Sequence, residues 1–289
     1  MQLATNHKVF VPKNLNDALN ILKRRPQSII SAGGTLLSLR DSDYFSGKDL
    51  LSLYYLDDLR RVFWSDRSVD IGSMVTIEKL MDLDSKIIPS GFRSAAAAIT
   101  GPQIRSIATL GGNILASPEY LSLMGWLSLA EARIELRRYN GTRWISASRF
   151  FSELGVTELR PGEIITRVRI PLGKWNVQTT RKLDLDTSTT AGEFMFYGLA
   201  GIHGGNLEDM KLGYYFVPNI LYQSRTVEAQ FIGKKIPLSD KDIDTFCSNL
   251  MENLEIPPQI QSDFMTDRLE NLAASFLHSL GRPRSGQAI

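Results

Sequence analysis

Residues 132–137 run Ala132-Arg133-Ile134-Glu135-Leu136-Arg137, apolar and charged side chains in strict alternation, before Asn140-Gly141 and a return through Trp144-Ile145. A period of two sends one set of side chains into a core and the other into water, which makes this a half-buried strand. Asn-Gly supplies the positive φ angles of a tight hairpin turn at positions 140 and 141. An antiparallel hairpin is therefore fixed near the middle of the chain, and everything else must be arranged around it.

Helical and strand patterns lie on both sides. Asn14 to Arg25 opens on a capping residue, puts Leu15, Ala18, Leu19 and Leu22 on one face and stops at Pro26, which predicts an amphipathic helix. Short strands are expected at 28–31, 50–53, 69–71 and 164–170, and helices at 77–81, after Thr76, and at 92–99, ended by Gly101-Pro102. Leu121 to Leu129 is apolar nearly all round, so it belongs in a core or an interface. Arg160-Pro161-Gly162 is a turn, and Gly173-Lys174-Trp175-Asn176, without periodicity, reads as a linker. Beyond it, strands at 194–202 and 211–217 flank a turn at Gly204-Gly205, and helices at 240–251 and 263–280 follow. Two domains meeting near residue 175 are expected. Trp64, Trp126, Trp144 and Trp175 read as core or interface anchors. Arg133, Arg137, Arg138 and Arg143 read as the solvated face of the hairpin.

Composition narrows the chemistry. The 33 Lys plus Arg against 31 Asp plus Glu leave a net charge of +2, which gives nucleic acid no electrostatic purchase. One cysteine, Cys247, excludes a disulfide framework and any iron–sulfur cluster held by this chain alone. Only His7, His203 and His278 are available as histidine ligands, far apart in sequence, so no metal site is expected. The N-terminal ten residues lack the apolar run of a secretory signal, and the longest candidate for a membrane span, the uncharged stretch 120–130, is about half the roughly 20 residues a membrane helix needs. The expectation is a soluble, cytoplasmic chain, with no membrane insertion, whose chemistry comes from an organic cofactor or from another chain.

Two glycine pairs offer a place for such a cofactor. Ile29-Ile30-Ser31 delivers the chain to Ala32-Gly33-Gly34-Thr35-Leu36. Glycine permits positive φ and close approach, so successive N–H groups can converge on one anion, with Thr35 adding a hydroxyl. Neither the G-x-G-x-x-G spacing nor a P-loop lysine is present. The second pair sits in Thr109-Leu110-Gly111-Gly112-Asn113, and two such loops could close on the two ends of one pyrophosphate. Asn113, able to donate and accept, suits a ribityl hydroxyl or a flavin edge. Taken separately, each pair is equally an ordinary turn, with Asn113 bonded to its own backbone and Arg105 in an ion pair.

In order and spacing, Ala32-Gly33-Gly34-Thr35, Ile71-Gly72-Ser73 with Thr76, Gly101-Pro102-Gln103-Ile104-Arg105, Thr109-Leu110-Gly111-Gly112-Asn113, the hairpin Ala132 to Phe151 and Leu159-Arg160-Pro161-Gly162-Glu163-Ile164-Ile165 ending at Pro171 resemble the FAD-binding subunit of molybdenum hydroxylases of the xanthine dehydrogenase and carbon monoxide dehydrogenase type. The resemblance implies an α+β fold: a two-lobed PCMH-type FAD-binding domain over residues 1–174, then a smaller α+β domain over 177–285. It implies that Ile29 to Leu36 wrap the pyrophosphate and Thr109 to Asn113 contact phosphate and flavin. Ile165 would pack near the ring, and Lys182 would approach it from the second domain. It implies FAD here, with molybdopterin and iron–sulfur clusters in partner subunits, and NAD or another acceptor taking the electrons. No acid–base catalytic residue is expected, since flavin does the redox chemistry. The chain departs from the family pattern at Leu36, where an acidic residue is common, and at Leu121-Ser122, where many members carry an aspartate; Glu119 is out of register, and Ser117 or Ser122 would have to substitute. Those departures keep open a flavin-free paralogue that serves as a structural subunit.

Overall fold

Asn14 accepts the amide of Asp17 at 2.9 Å and so starts the first long helix, whose Ala18, Leu19 and Leu22 turn inward. In the computed structural model, residues 7–117, 120, 122–152, 155–184, 193–216, 220–255 and 262–281 are described, and the chain divides into two units, Met1–Leu172 and Gly173–Ile289.

The first unit begins β1 (Val9–Phe10), α1 (Leu15–Arg24), β2 (Ile29–Ser31), α2 (Ser42–Phe45) and β3 (Leu50–Ser52). The three strands form a parallel sheet in the order β1-β3-β2, with Ile30 opposite Leu51. The inner face of α1 packs with Leu51, Leu53, Leu56 and Leu59 in one apolar cluster, which fixes this small lobe.

A larger lobe follows: β4 (Val62–Trp64), β5 (Ser68–Gly72), then α3 (Ile77–Asp82), α4 (Ser90–Ile99), α5 (Pro102–Arg105), α6 (Leu110–Leu115) and α7 (Met124–Leu129), then β6 (Arg133–Arg138), β7 (Gly141–Ser146) and β8 (Ile164–Pro171). The strands are antiparallel in the order β4-β5-β8-β6-β7. Val69, Ile71, Ile134, Leu136, Val168 and Ile170 are buried. On the alternate positions, Asp70 is gripped by Arg169 at 2.6 and 2.7 Å, and Glu135 by Arg167 at 2.9 Å and Thr166 at 2.5 Å. Asp70, Glu135, Thr166 and Arg167 line a cavity of about 220 Å³, and these ion pairs tie β5, β6 and β8 together.

Three sequence expectations are corrected here. The hairpin forms, but Arg138 pairs with Gly141, so its turn residues are Tyr139 and Asn140, and neither Asn140 nor Gly141 takes positive φ. The turn thus sits one residue earlier than the Asn-Gly pair suggests, with Arg137 rather than Tyr139 opposite Thr142. Arg143 is not a solvated charge: it makes a two-pronged bond to the buried Glu163, at 2.9 and 2.8 Å. Trp64 is no core anchor, being 62% exposed on the edge strand β4, whereas Trp126 and Trp175 are buried.

The second unit is an antiparallel sheet, β12-β11-β10-β9, built from β9 (Val177–Asp184), β10 (Glu193–His203), β11 (Asn206–Phe216) and β12 (Ile220–Tyr222). It is followed by α8 (Arg225–Ala229), α9 (Asp240–Asn253) and α10 (Asp263–Ser279). Phe196 and Tyr214 of the sheet join Phe246, Leu269 and Phe276 of the helices in its core, and Cys247 is buried among them. The stretch 173–176 is part of this unit rather than a free linker: Asn176 exchanges two hydrogen bonds with Ile202, at 2.7 and 3.0 Å, and Trp175 is buried. Val217, expected to end a strand, lies outside the described residues. Among the described residues no helix is long and apolar enough to cross a membrane, and no group of three or more His, Cys, Asp or Glu is placed to hold a metal ion.

Candidate functional site: a backbone cradle in the first unit

Strand β2 ends at Ser31, whose carbonyl accepts the Leu53 amide at 2.8 Å, and the chain then leaves the sheet through Ala32-Gly33-Gly34-Thr35-Leu36. Gly34 has φ of +77°, with no atom within 4 Å of where a β-carbon would stand. The carbonyls of this bend are used: Gly34 accepts the Ser38 amide at 2.9 Å, Thr35 the Ser38 hydroxyl at 2.8 Å, and Leu36 the Leu39 amide at 3.2 Å. The N–H groups are not. Among the described residues, none of the amides of Gly33, Gly34, Thr35 and Leu36 donates a hydrogen bond. Consecutive free amides around a glycine of positive φ form a concavity lined with partial positive charge, which is the chemistry that holds a phosphate or diphosphate without a lysine. The residues present therefore fit the diphosphate of a dinucleotide.

Gly33 ties this bend to the second glycine segment. A β-carbon at Gly33 would lie 2.1 Å from the carbonyl oxygen of Ile107 and 3.3 Å from Cα of Ala108. The two motifs, distant in sequence, thus touch backbone to backbone.

They are not equivalent, however. Thr109 is the N-cap of α6, and Gly111-Gly112 form that helix's first turn instead of a loop. The amides of residues 110–113 are already engaged: Leu110 donates to Val75 O at 2.9 Å, Gly111 to Ser73 O at 2.8 Å, Gly112 to Thr109 Oγ1 at 3.2 Å and Asn113 to Thr109 O at 2.8 Å. Four free amides on this side, which would have let both pairs grip one diphosphate, are absent among the described residues. The segment contributes shape and side chains instead. Asn113 does not bond its own turn; its Oδ1 accepts the Leu123 amide at 2.9 Å.

Ser73, named in the sequence only as part of a motif and given no role there, is a linchpin of the site. It is buried, its carbonyl holds Gly111, its amide donates to Thr166 O at 3.0 Å, and its Oγ has no partner among the described residues. It thereby joins the second glycine segment to β8, where Ile165, one residue away, is buried opposite Leu136. A strand ending in Gly-Ser ahead of the Thr76 helix cap was the available sign. The structure so brings together residues 33–36, 107–113, 73–76 and 165–166. Lys182 belongs to the second unit, in β9 opposite Met195, and its amine is paired with Glu193 at 2.5 Å. Arg105 bonds Glu78 and the carbonyls of Ala97 and Thr100, pinning the α4–α5 junction. Leu36 is half-buried, Ser117 and Ser122 are fully buried, and Ser122 Oγ accepts the Met124 amide at 3.1 Å. Glu119 and Leu121 lie outside the described residues.

Residues 4–173 match the family model of the FAD binding domain in molybdopterin dehydrogenase. The chain is 30% identical over 163 residues to the xanthine dehydrogenase FAD-binding subunit of Escherichia coli O157:H7, covering 54% of this chain and 55% of that one. It is 25% identical over 251 residues to the glyceraldehyde dehydrogenase medium chain of Sulfolobus acidocaldarius, covering 85% and 87%. The matched stretch thus spans about half the length of the Escherichia coli relative. Among solved structures, quinoline 2-oxidoreductase from Pseudomonas putida 86 aligns with a TM-score of 0.77 at 20% identity over 97% of this chain and 96% of that one. The Cu,Mo-CO dehydrogenase aligns with a TM-score of 0.77 at 22% identity over 95% and 96%. These likenesses show the α+β fold.

Proposed function

Because the chain belongs to the family of FAD-binding domains in molybdopterin dehydrogenases, we propose that it is the flavin-carrying oxidoreductase subunit of a molybdenum hydroxylase of the xanthine dehydrogenase type. The observation that carries this reading is the row of four free amides from Gly33 to Leu36, seated against Ile107 by Gly33. Bound FAD would supply the electron transfer, from iron–sulfur clusters of a partner subunit beside a molybdopterin subunit to NAD or another acceptor. This chain's own part is positional. The amides of residues 33–36 hold the diphosphate, and Thr109 keeps the second glycine turn in shape. Ile165 and its strand give the ring an apolar, water-poor wall, while Asn113 is assigned a polar contact to it. No residue is assigned acid–base work. A cytoplasmic location and the two domains over 1–174 and 177–285 belong to the same proposal.

The absorbance spectrum of the purified chain, before and after addition of FAD, tests it. Bands near roughly 375 and 450 nm, and flavin in the supernatant after denaturation, are expected. A chain that takes up no flavin under these conditions sinks the reading.

A second reading has one observation in its favour: the amides of Gly111 and Gly112 are spent inside the fold, leaving the cradle one-sided. On that reading the chain is a flavin-free paralogue that serves as a structural subunit. Co-purification with an iron–sulfur or molybdenum subunit, with no flavin in the denatured supernatant, selects it.

A further inference from the structure

Strands β2 and β3 are parallel neighbours, so their C-terminal ends lie at one edge of the sheet, the edge where open parallel sheets gather their ligands. From β2 emerges the amide cradle. From β3 emerges Leu53-Tyr54-Tyr55, laced to β2 by the bond from Leu53 N to Ser31 O at 2.8 Å. Tyr54 is 61% exposed and Tyr55 58%, large aromatic areas for a chain to leave in water. Their rings meet edge to face, 5.0 Å between centroids and 88° between planes.

The corner is rigid. Leu53 O accepts the Leu56 amide at 3.0 Å, Tyr55 O the Asp57 amide at 3.1 Å, and Tyr54 O the Arg60 guanidinium at 2.9 Å. Arg60 also lies over the Tyr54 ring, 5.7 Å from its centroid, and reaches the carbonyl of Met74, the neighbour of Ser73. Two tyrosines held at right angles on a bonded turn, beside a bend with four free amides, present complementary chemistry: a flat π system next to an anion.

We propose that Tyr54 and Tyr55 seat the adenine of the dinucleotide whose diphosphate the Gly33–Leu36 cradle holds. This rests on the flavin reading and deepens it by naming where the nucleoside half lies. An aromatic face accepts a base by stacking without base-specific hydrogen bonds, so the corner sets the preference for FAD over FMN, which has the phosphate but no base.

The test uses the full chain and quenching of flavin fluorescence on titration with FAD and, separately, FMN. Tyr54→Ala and Tyr55→Ala are expected to raise the Kd for FAD by about tenfold and to leave that for FMN unchanged, with Tyr54→Phe close to wild type. An unaltered Kd for FAD in both alanine variants overturns the assignment. So does equal weakening of FAD and FMN, which would place the effect in the cradle or the fold. A wild-type chain that binds FMN and FAD equally well removes the adenine seat and leaves the cradle standing. One that binds neither removes the flavin reading itself, and this inference with it.

Discussion

Gly33 lies against the carbonyl of Ile107 so closely that a β-carbon on it would stand 2.1 Å from that oxygen. Backbone cannot yield as a side-chain tip does, so Gly33→Ala forces the first bend away from the second glycine segment. Overpacking of this kind costs about 1–3 kcal/mol, and more where the neighbour is rigid. Gly34 differs in kind: its φ of +77° strains any other residue, yet nothing within 4 Å blocks a methyl group. Gly34→Ala should therefore cost only about 1–2 kcal/mol from the left-handed backbone. Thermal unfolding should rank Gly33→Ala as the more damaging, and it alone should dismantle flavin uptake at a temperature where both variants are folded. The reverse ranking would mean that the contact with Ile107 is not what positions the bend.

Thr109 caps α6 and satisfies Gly112 N while itself almost completely buried. Thr109→Val keeps the shape and removes the acceptor, leaving a half-buried amide without a partner. A loss of about 1 kcal/mol in urea unfolding is expected, with Thr109→Ser near wild type. If Val and Ser behave alike, the hydroxyl is not holding the glycine turn.

Glu163 and Arg143 form a two-pronged pair with Glu163 also accepting the Arg160 amide at 2.9 Å, so one carboxylate fastens the hairpin to the turn that starts β8. Burial alone would raise the carboxyl, but the Arg143 guanidinium and the Arg160 amide outweigh it and hold the group below its ordinary value. A lowered carboxylate stabilises the fold above its unfolded-state value and loses that contribution as pH falls through the folded one. Glu163→Gln should cost about 2 kcal/mol at pH 7 and much less under acid. Arg143→Lys should recover little, because an ammonium cannot make both prongs. Denaturation curves of the three proteins at pH 7 and below pH 4 check this.

Much of the fold was legible because it is written locally. Asn14 before Leu15, Ala18, Leu19 and Leu22 specifies α1 by itself, and Ser239 and Ser262 cap α9 and α10 in the same way. Strand β9 escaped because Val177-Gln178-Thr179-Thr180-Arg181-Lys182 has no apolar alternation of its own; β10, wholly apolar from Phe194 to Ala200, supplies the ladder. The cradle was legible as glycines after a strand, and the structure adds which amides remain free. The second pair reads the same in sequence, but the carbonyls of Ser73 and Val75, contributed by another segment, help turn it into a helix start in which both glycine amides are spent. A motif gives conformational permission; a distant carbonyl decides whether the donors are spent. Tyr54 and Tyr55 carried no periodic signal, and only the parallel register of β2 and β3 sets them beside the cradle.

Glu228 makes stability depend on pH in the opposite sense to Glu163. It is 2% exposed at the start of α8 and accepts Leu212 N at 2.7 Å, Gln223 Nε2 at 2.9 Å and the Arg225 guanidinium at 3.0 Å. Burial dominates those donors and pushes the carboxyl from 4.5 up to about 7. Below pH 4.5 the group is protonated in folded and unfolded chains alike and the fold keeps its full stability. Between 4.5 and 7 only the unfolded chain ionises, so stability falls as pH rises, and above about 7 the loss is complete. The shift corresponds to ~3 kcal/mol at most. Glu228→Gln retains an acceptor for Leu212 N and cannot ionise. Its urea midpoint should be flat from pH 5 to 8 and lie above the wild-type midpoint at pH 8, with the two curves converging toward pH 5. A wild-type midpoint that rises across that interval would show that the donors from Leu212, Gln223 and Arg225 outweigh burial.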